Sequence, residues 1–177
     1  MKKLIATSVL CLSTGFVSAN EPYASVAYSM LDSEFSFQGE SFDSEPTAIN
    51  IIGGVSINES FALEALVGLG LSDDDIDSFD AEFELDSLYG IYAVGALPVS
   101  DNFNLYAKFG VVNINFEDVD SDKYDGSGIS YGLGAEARIN EKFGAALEYV
   151  IYPDAELSRY DVDVETAAIN LRFNVYF

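Results

Sequence analysis

The last eleven residues of the chain alternate between apolar side chains and polar or small ones. In this stretch, AAINLRFNVYF at residues 167–177, the odd positions from Ile169 to Phe177 are apolar. The even positions carry Arg172 and two asparagines. A period of two predicts a β-strand with two different faces. An edge strand of a soluble sheet would show the same pattern, so the other segments have to show which surroundings the two faces of this strand meet.

Similar alternation recurs along the chain and predicts eight strands. They are expected at residues 23–30, 47–57, 61–71, 84–99, 103–115, 128–139, 143–152 and 164–177. The fourth segment is apolar on both faces from Leu88 to Val99, so its register is less firmly predicted.

The predicted connections are alternately short and long. Three short ones share a pattern of a strand end, a few turn residues and a phenylalanine, at residues 57–61, 99–103 and 139–143, and they predict tight hairpins. The long connections are polar and acidic, at residues 31–46, 72–83, 116–126 and 153–163. A propeller also repeats at about 40 residues, but its blade needs four strands and each unit here holds two. Short turns on one side and long loops on the other are typical of outer-membrane barrels.

The polar face of the predicted strands is rich in glycine and carries balanced charges. Glycine there suits the crowded inside of a small closed barrel, whereas it has no obvious purpose on a solvated face. Three acidic and three basic residues fall on this face, which predicts a structural charge network in the lumen, formed by Glu64, Glu136, Glu148, Lys108, Arg138 and Arg172. The alternative is a set of unpaired surface charges, which would contribute little stability.

The apolar face would then point outward. Aromatic residues after the short turns and at the end of the last strand predict a periplasmic aromatic girdle, formed by Phe61, Phe103, Phe143 and Phe177. Tyr28, Tyr89 and Tyr131 are expected nearer the long loops. Tryptophan, a usual member of such girdles, is absent from the sequence.

Over residues 20–177 the chain resembles the eight-stranded OmpA-type and opacity-type outer-membrane barrel family. The resemblance rests on the alternating strands, the short and long connections, and the terminal Phe177 on the apolar face. It implies an all-β, eight-stranded antiparallel up-and-down transmembrane β-barrel with short periplasmic turns and long extracellular loops. It also implies recognition of the C-terminal strand by the barrel-assembly machinery. No periplasmic domain is expected after the barrel, so peptidoglycan binding is not implied.

The first nineteen residues have the pattern of a secretory signal peptide. Lys2 and Lys3 precede a short apolar core at residues 4–16, and a small-residue site ends at Ala19. Cleavage after Ala19 is expected to leave a barrel domain at residues 20–177, exported to the outer membrane of a Gram-negative cell. The sole cysteine, Cys11, would be removed with the leader.

Composition excludes several functions. The formal net charge is −22, which argues against nucleic-acid binding. The chain has no histidine, which removes Ser-His-Asp triads and His-ligated zinc and makes a barrel enzyme remote. No catalytic or cofactor-binding residue is predicted.

One acidic loop resembles the start of a calcium-binding loop. Asp118, Asp120 and Asp122 have the right spacing, but Lys123 replaces the required glycine and Ile129 occupies the place of the bidentate glutamate. We therefore expect no defined metal site here. Diffuse binding of divalent ions that bridge to lipopolysaccharide stays open.

The sequence therefore favours a structural or surface-interaction role: membrane integrity, adhesion or recognition through the acidic loops, with outer-membrane lipid, lipopolysaccharide and a host or surface ligand as partners. The alternative is a narrow porin-like conduit for small solutes or ions, although eight strands leave an interior that side chains just fill. A soluble exported barrel with a ligand inside is the remaining alternative. It would require the apolar odd face to point inward.

Overall fold

A computed structural model describes residues 21–37, 40–72, 74–75, 82–118, 123–156 and 163–177. The expected leader and its cleavage site lie outside the described residues, as do Asp120 and Asp122. No helix in these described ranges is long and apolar enough to cross a membrane.

The described chain is built of antiparallel β-strands. In chain order they are β1 (Glu21–Phe37), β2 (Glu40–Ser44), β3 (Thr47–Asn58), β4 (Phe61–Ser72), β5 (Asp74–Asp75), β6 (Glu82–Ser100), β7 (Phe103–Asp118), β8 (Lys123–Arg138), β9 (Phe143–Ile151), β10 (Ala155–Glu156) and β11 (Asp163–Tyr176). The eight long strands pair each with the next, and β11 pairs with β1, so the sheet closes on itself. The short strands β2, β5 and β10 extend the wall at the loop end. The predicted eight-stranded up-and-down barrel is confirmed.

The register of the strands fixes how steeply they are inclined. A line through directly paired residues follows Pro22, Val55, Leu63, Ala93, Phe109, Tyr131, Ile151, Ala167 and Asp32. It leaves β1 at Pro22 and returns to the same strand ten residues further on, at Asp32. A closed barrel with such a stagger needs strands tilted by about 35–45°.

At the loop end of the barrel, the strands extend further than the sequence pattern predicted. The prediction that residues 31–46 form a loop is wrong, because β1 continues to Phe37 and β2 pairs back onto it. Asp32 and Glu34 are exposed on the outer wall, beyond the apolar band. Charged residues suit an outward position there, because the outer surface beyond the lipid faces water. The predicted loops at residues 72–83, 116–126 and 153–163 likewise contain strand residues.

Asparagine side chains shape two of the short turns. Oδ1 of Asn58 accepts hydrogen bonds from the backbone N–H groups of Ser60 and Phe61, at 2.8 and 2.9 Å. Oδ1 of Asn140 does the same for the backbone N–H groups two and three residues further on. An asparagine that bonds to the backbone ahead of it favours a turn. This explains why the short connections share a sequence pattern, although β8 ends at Arg138, one residue earlier than predicted.

The two faces of the wall follow the predicted parity. Large apolar residues at odd positions of β4 and β8 point outward, and Leu133 is 68% exposed. On β4 the outward series runs from Phe61 to Leu71, ten residue steps, or about 25 Å of height at a tilt near 40°. That height matches the apolar band of a transmembrane barrel. The soluble-barrel alternative, which needs the odd face inside, is wrong.

Candidate functional site: the lumen and its openings

A buried carboxylate, Glu148 on β9, is the centre of the lumen. Its Oε2 accepts a hydrogen bond from Nζ of Lys108 at 2.7 Å and one from Nδ2 of Asn170 at 3.2 Å. Its Oε1 accepts from the hydroxyl of Tyr106 at 2.7 Å and from Nη1 of Arg172 at 2.9 Å. Glu148 is only 1% exposed. The four donors replace the water that this carboxylate would otherwise bind, and they hold it in one position.

Arg172 on the last strand links this carboxylate to a second one across the barrel. Its Nη2 lies 2.6 Å from Oε1 of Glu64 on β4, and its Nε donates to Oδ1 of Asn174 at 2.7 Å. The hydroxyl of Tyr23 donates to the same Oε1 of Glu64 at 2.8 Å. Two carboxylates and two cations therefore share one buried layer, called here the lumen network: Glu64, Lys108, Glu148 and Arg172. The layer carries no net charge.

Glycines make room for the two tyrosines of this layer. Tyr23 is directly paired with Gly54 on the next strand, and Tyr106 is paired with Gly134. A Cβ atom on either glycine would overlap the tyrosine ring beside it. The rings therefore lie flat against the wall, and their hydroxyl groups reach the carboxylates.

The other two charges of the predicted network lie nearer the turn end. Glu136 and Arg138 on β8 are half-buried, and their closest side-chain N–O distance is 3.7 Å. Arg138 also lies 3.8 Å from Glu21 and stacks over the ring of Tyr176, 3.9 Å from its centroid. The hydroxyl of Tyr176 donates to Oε1 of Glu136. The structure thus brings four of the six predicted residues together and places two at the mouth.

On the loop side of the lumen network, the described interior is mainly apolar, with the hydroxyl groups of Ser33, Ser130 and Thr166 also buried there. The inward residues there are at most 4% exposed, and the larger ones include Leu31, Leu85, Leu88, Val112, Ile114, Phe116, Val150 and Tyr152. The alternation did not reveal this cluster, because the first predicted strand ended before Leu31 and the fourth was apolar on both faces. A charged layer and an apolar layer therefore follow one another along the axis.

On the turn side, the lumen opens into a cavity of about 740 Å³, called here the vestibule. Glu64, Arg172 and Tyr106 line its inner part, and Glu59 and Asp101 lie at its rim on the short turns. The vestibule therefore reaches from the end of the barrel to the lumen network.

The four phenylalanines of the predicted girdle lie at the turn end and point outward. Phe61 is 59% exposed and Phe177 is 77% exposed, while Phe103 and Phe143 are less so. The ring of Phe143 stacks on that of Phe173 with centroids 5.7 Å apart. The described residues include no group of three or more His, Cys, Asp or Glu placed to hold a metal ion.

An apolar outer band about the height of a bilayer core, around an interior of paired charges, defines an integral membrane β-barrel. The sequence comparison agrees with this class. The family model for the outer membrane protein beta-barrel domain matches residues 4–177, so the chain belongs to that family. Membership of this family indicates the Gram-negative outer membrane as its location.

Several solved structures share the fold at low sequence identity. Ail, the attachment invasion locus protein of Yersinia pestis, in complex with the heparin analogue sucrose octasulfate, is 16% identical with a TM-score of 0.60, over 90% of this chain and 100% of that one. Neisserial surface protein A is 14% identical with a TM-score of 0.59, over 88% and 97% of the two chains. OprG from Pseudomonas aeruginosa is 13% identical with a TM-score of 0.59, over 90% and 96%. No curated protein matches the chain.

Proposed function

We propose that this chain is a closed, non-enzymatic outer-membrane barrel that acts through its loop-side surface, in membrane integrity, adhesion or recognition. The observation that carries the proposal is the double closure of the lumen, by the lumen network and then by the apolar cluster. Two such layers would leave no continuous path for solutes through the described part of the barrel. The surface left for function is then the loop side, because loops on a rigid scaffold commonly carry the binding residues of a protein.

The distribution of charge supports a role for that surface. Of the 30 acidic residues, 23 fall in four segments of the sequence that contain the predicted long loops, at residues 31–46, 72–86, 116–126 and 152–165. The same segments hold two basic residues, Lys123 and Arg159. Such a surface attracts cations and cationic partners and repels anionic ones. Divalent ions would let it bind lipopolysaccharide, as carboxylate oxygens are good ligands for Ca²⁺ and Mg²⁺.

The ligand proposed for the loop surface is opposite in charge to the ligand of one structural neighbour. Ail was solved with sucrose octasulfate, a sulfated anion. The acidic segments of this chain lead us to expect no binding of such an anion in the absence of divalent cations. The host or surface ligand proposed for the loops is therefore a cationic one, or one bridged by metal ions.

Conductance in planar bilayers tests the closed barrel. The full chain should give no reproducible current steps. Bilayers that receive detergent alone are the control and should give none either. Reproducible steps would overturn the proposal and favour the narrow conduit. That second candidate has its own support, since the vestibule is open to the turn end and reaches the middle of the barrel.

Binding of lipopolysaccharide to the barrel in nanodiscs tests the loop surface. We expect binding with Mg²⁺ and its loss on chelation. Replacing Asp73, Asp74 and Asp75 by asparagine should weaken the Mg²⁺-dependent binding. A control at the other end that removes two charges, Glu59→Gln with Asp101→Asn, should leave this binding unchanged. Binding that does not depend on Mg²⁺, or that falls equally in both variants, would exclude bridging through the loops.

Two further proposals concern the route to the membrane. Residues 1–19 would be removed as a signal peptide, and the C-terminal strand would be recognised by the barrel-assembly machinery. Phe173 on β11 and Phe177 directly after this strand are both exposed, which supports the second proposal. The girdle phenylalanines at the turn end would face the periplasmic side of the lipid.

A further inference from the structure

The vestibule exists because three neighbouring strands carry small residues on their inner face. Ser56 on β3, Ala62 on β4 and Ala96 on β6 line it on one side. Tyr106 and Arg138 fill the opposite side. Barrel interiors of this size are usually filled by side chains, so a wide opening at the turn end sets this barrel apart from that pattern.

The charges of the vestibule are unequal. Its lining carries five carboxylates, Glu21, Glu59, Glu64, Asp101 and Glu136, and two guanidinium groups, Arg138 and Arg172. Both guanidinium groups already lie within 4 Å of carboxylates and over tyrosine rings. The surplus is therefore negative, and a ligand that neutralises it must be a cation.

One carboxylate oxygen at the inner end of the vestibule has no protein donor. Oε1 of Glu64 takes both the Tyr23 hydroxyl and the Arg172 guanidinium. Within the described part of the chain, Oε2 accepts no hydrogen bond, although Glu64 is only 5% exposed and lines the cavity. This oxygen borders the cavity, so water can reach it, and a cationic N–H donor that enters from the vestibule would replace that water with a charge-assisted hydrogen bond to the carboxylate.

The wall between Glu64 and the rim is largely apolar. Val94, Ala96 and Pro98 of β6 follow one another along it, and Glu59 and Asp101 come after them at the rim. An anionic end, an apolar wall and an anionic rim suit a chain of methylene groups that carries a positive charge at one or both ends.

We propose that the vestibule binds a primary alkylammonium group on a flexible aliphatic chain, with the ammonium group on Oε2 of Glu64. A free linear polyamine and the lysine side chain of a periplasmic peptide share this chemistry. The site faces the turn end, so it is separate from the loop surface of the proposed function and does not depend on it.

Calorimetric titration of the full chain in nanodiscs of phosphatidylcholine, a lipid without net charge, tests the proposal. The probes are spermidine and a lysine with both backbone ends blocked. We expect saturable binding of at least one probe, and the tighter probe identifies the source of the group. Glu64→Gln should weaken that binding about tenfold or more, because it removes a charge-assisted hydrogen bond.

A second variant keeps all charges in place. Ala96→Leu fills the vestibule and should weaken the same binding at least as much, while the control Glu141→Gln, whose side chain lies at the turn end outside the vestibule, should bind as the unchanged chain does. If Glu64→Gln fails to fold, Ala96→Leu decides alone. Absence of saturable binding, or binding that Ala96→Leu does not change, would overturn the proposal and assign any heat to the acidic surface.

Discussion

Removal of the Arg172 side-chain charge is the most direct test of the lumen network. The guanidinium makes two ion pairs, at 2.6 Å to Glu64 and 2.9 Å to Glu148, and a hydrogen bond of 2.7 Å to Asn174. In Arg172→Met, Glu148 would keep Lys108, but Glu64 would keep only the hydroxyl of Tyr23. The variant therefore leaves one buried carboxylate without a cation.

The structure sets the size of the effect. Breaking a buried ion pair by removing one partner costs about 3–5 kcal/mol. Glu64 lines the vestibule, so water can reach its free side, and we expect a loss at the lower end, about 3 kcal/mol in the free energy of unfolding. The control Glu165→Gln lies on the same strand but is exposed beyond the apolar band, and it should change stability by about 0.5 kcal/mol or less.

A double variant separates the charge from the packing. Glu64→Gln with Arg172→Met removes one charge of each sign and leaves Lys108 with Glu148. The free energy of unfolding that the double variant loses should be smaller than the sum of the losses in the two single variants, by about 1–3 kcal/mol.

Urea midpoints can be read from the heat-modifiable gel migration and from circular dichroism, since the chain has no tryptophan to report by fluorescence. Equal midpoints for Arg172→Met and Glu165→Gln, or strict additivity in the double variant, would refute the network.

Three other predictions follow from the wall, the glycines and the leader. Leu133→Arg on the outer face should cost about 2–4 kcal/mol if it lies near the middle of the membrane, whereas Ser127→Arg, on the same strand near the loop-side rim, should cost about 0–1 kcal/mol, as measured by urea unfolding in lipid. Gly134→Ala should push the Tyr106 ring away from Glu148 and cost about 1–3 kcal/mol, whereas Gly95→Ala, with open space at its Cβ position, should be neutral; equal midpoints would contradict the close packing. Intact mass of the protein from outer membranes should correspond to a chain that starts at Asn20, and a mass that includes the leader would refute cleavage after Ala19.

The sequence pattern predicts the barrel well because every strand has one face in lipid and one in the lumen. It fails where that contrast fails. Above the lipid, the outer face of β1 meets water, so Asp32 and Glu34 look like loop residues although they continue the strand. Inside the loop half, Leu88 and Ile114 face the lumen and are apolar, so the pattern of an apolar outside and a polar inside breaks down there.

The charged site shows a second limit of the pattern. Parity gives the face of each residue but not its depth. Glu148 and Glu136 are both inward, yet the tilt and the stagger of the strands place one in the middle and the other at the mouth. Tyr23 and Tyr106 were not predicted as partners of the carboxylates. Their pairing with Gly54 and Gly134 is the signal that could have found them, once the register of the strands was known.

The positions of the charged residues along the chain matter for the neutrality of the lumen. Arg172 belongs to the final strand and Tyr23 to the first, while Glu64, Lys108 and Glu148 lie between them in sequence. An open sheet that still lacks its final strand holds two of these carboxylates against a single cation. Ring closure is thus also the step that balances the interior electrically, so a barrel joined out of register would keep an unmatched charge inside.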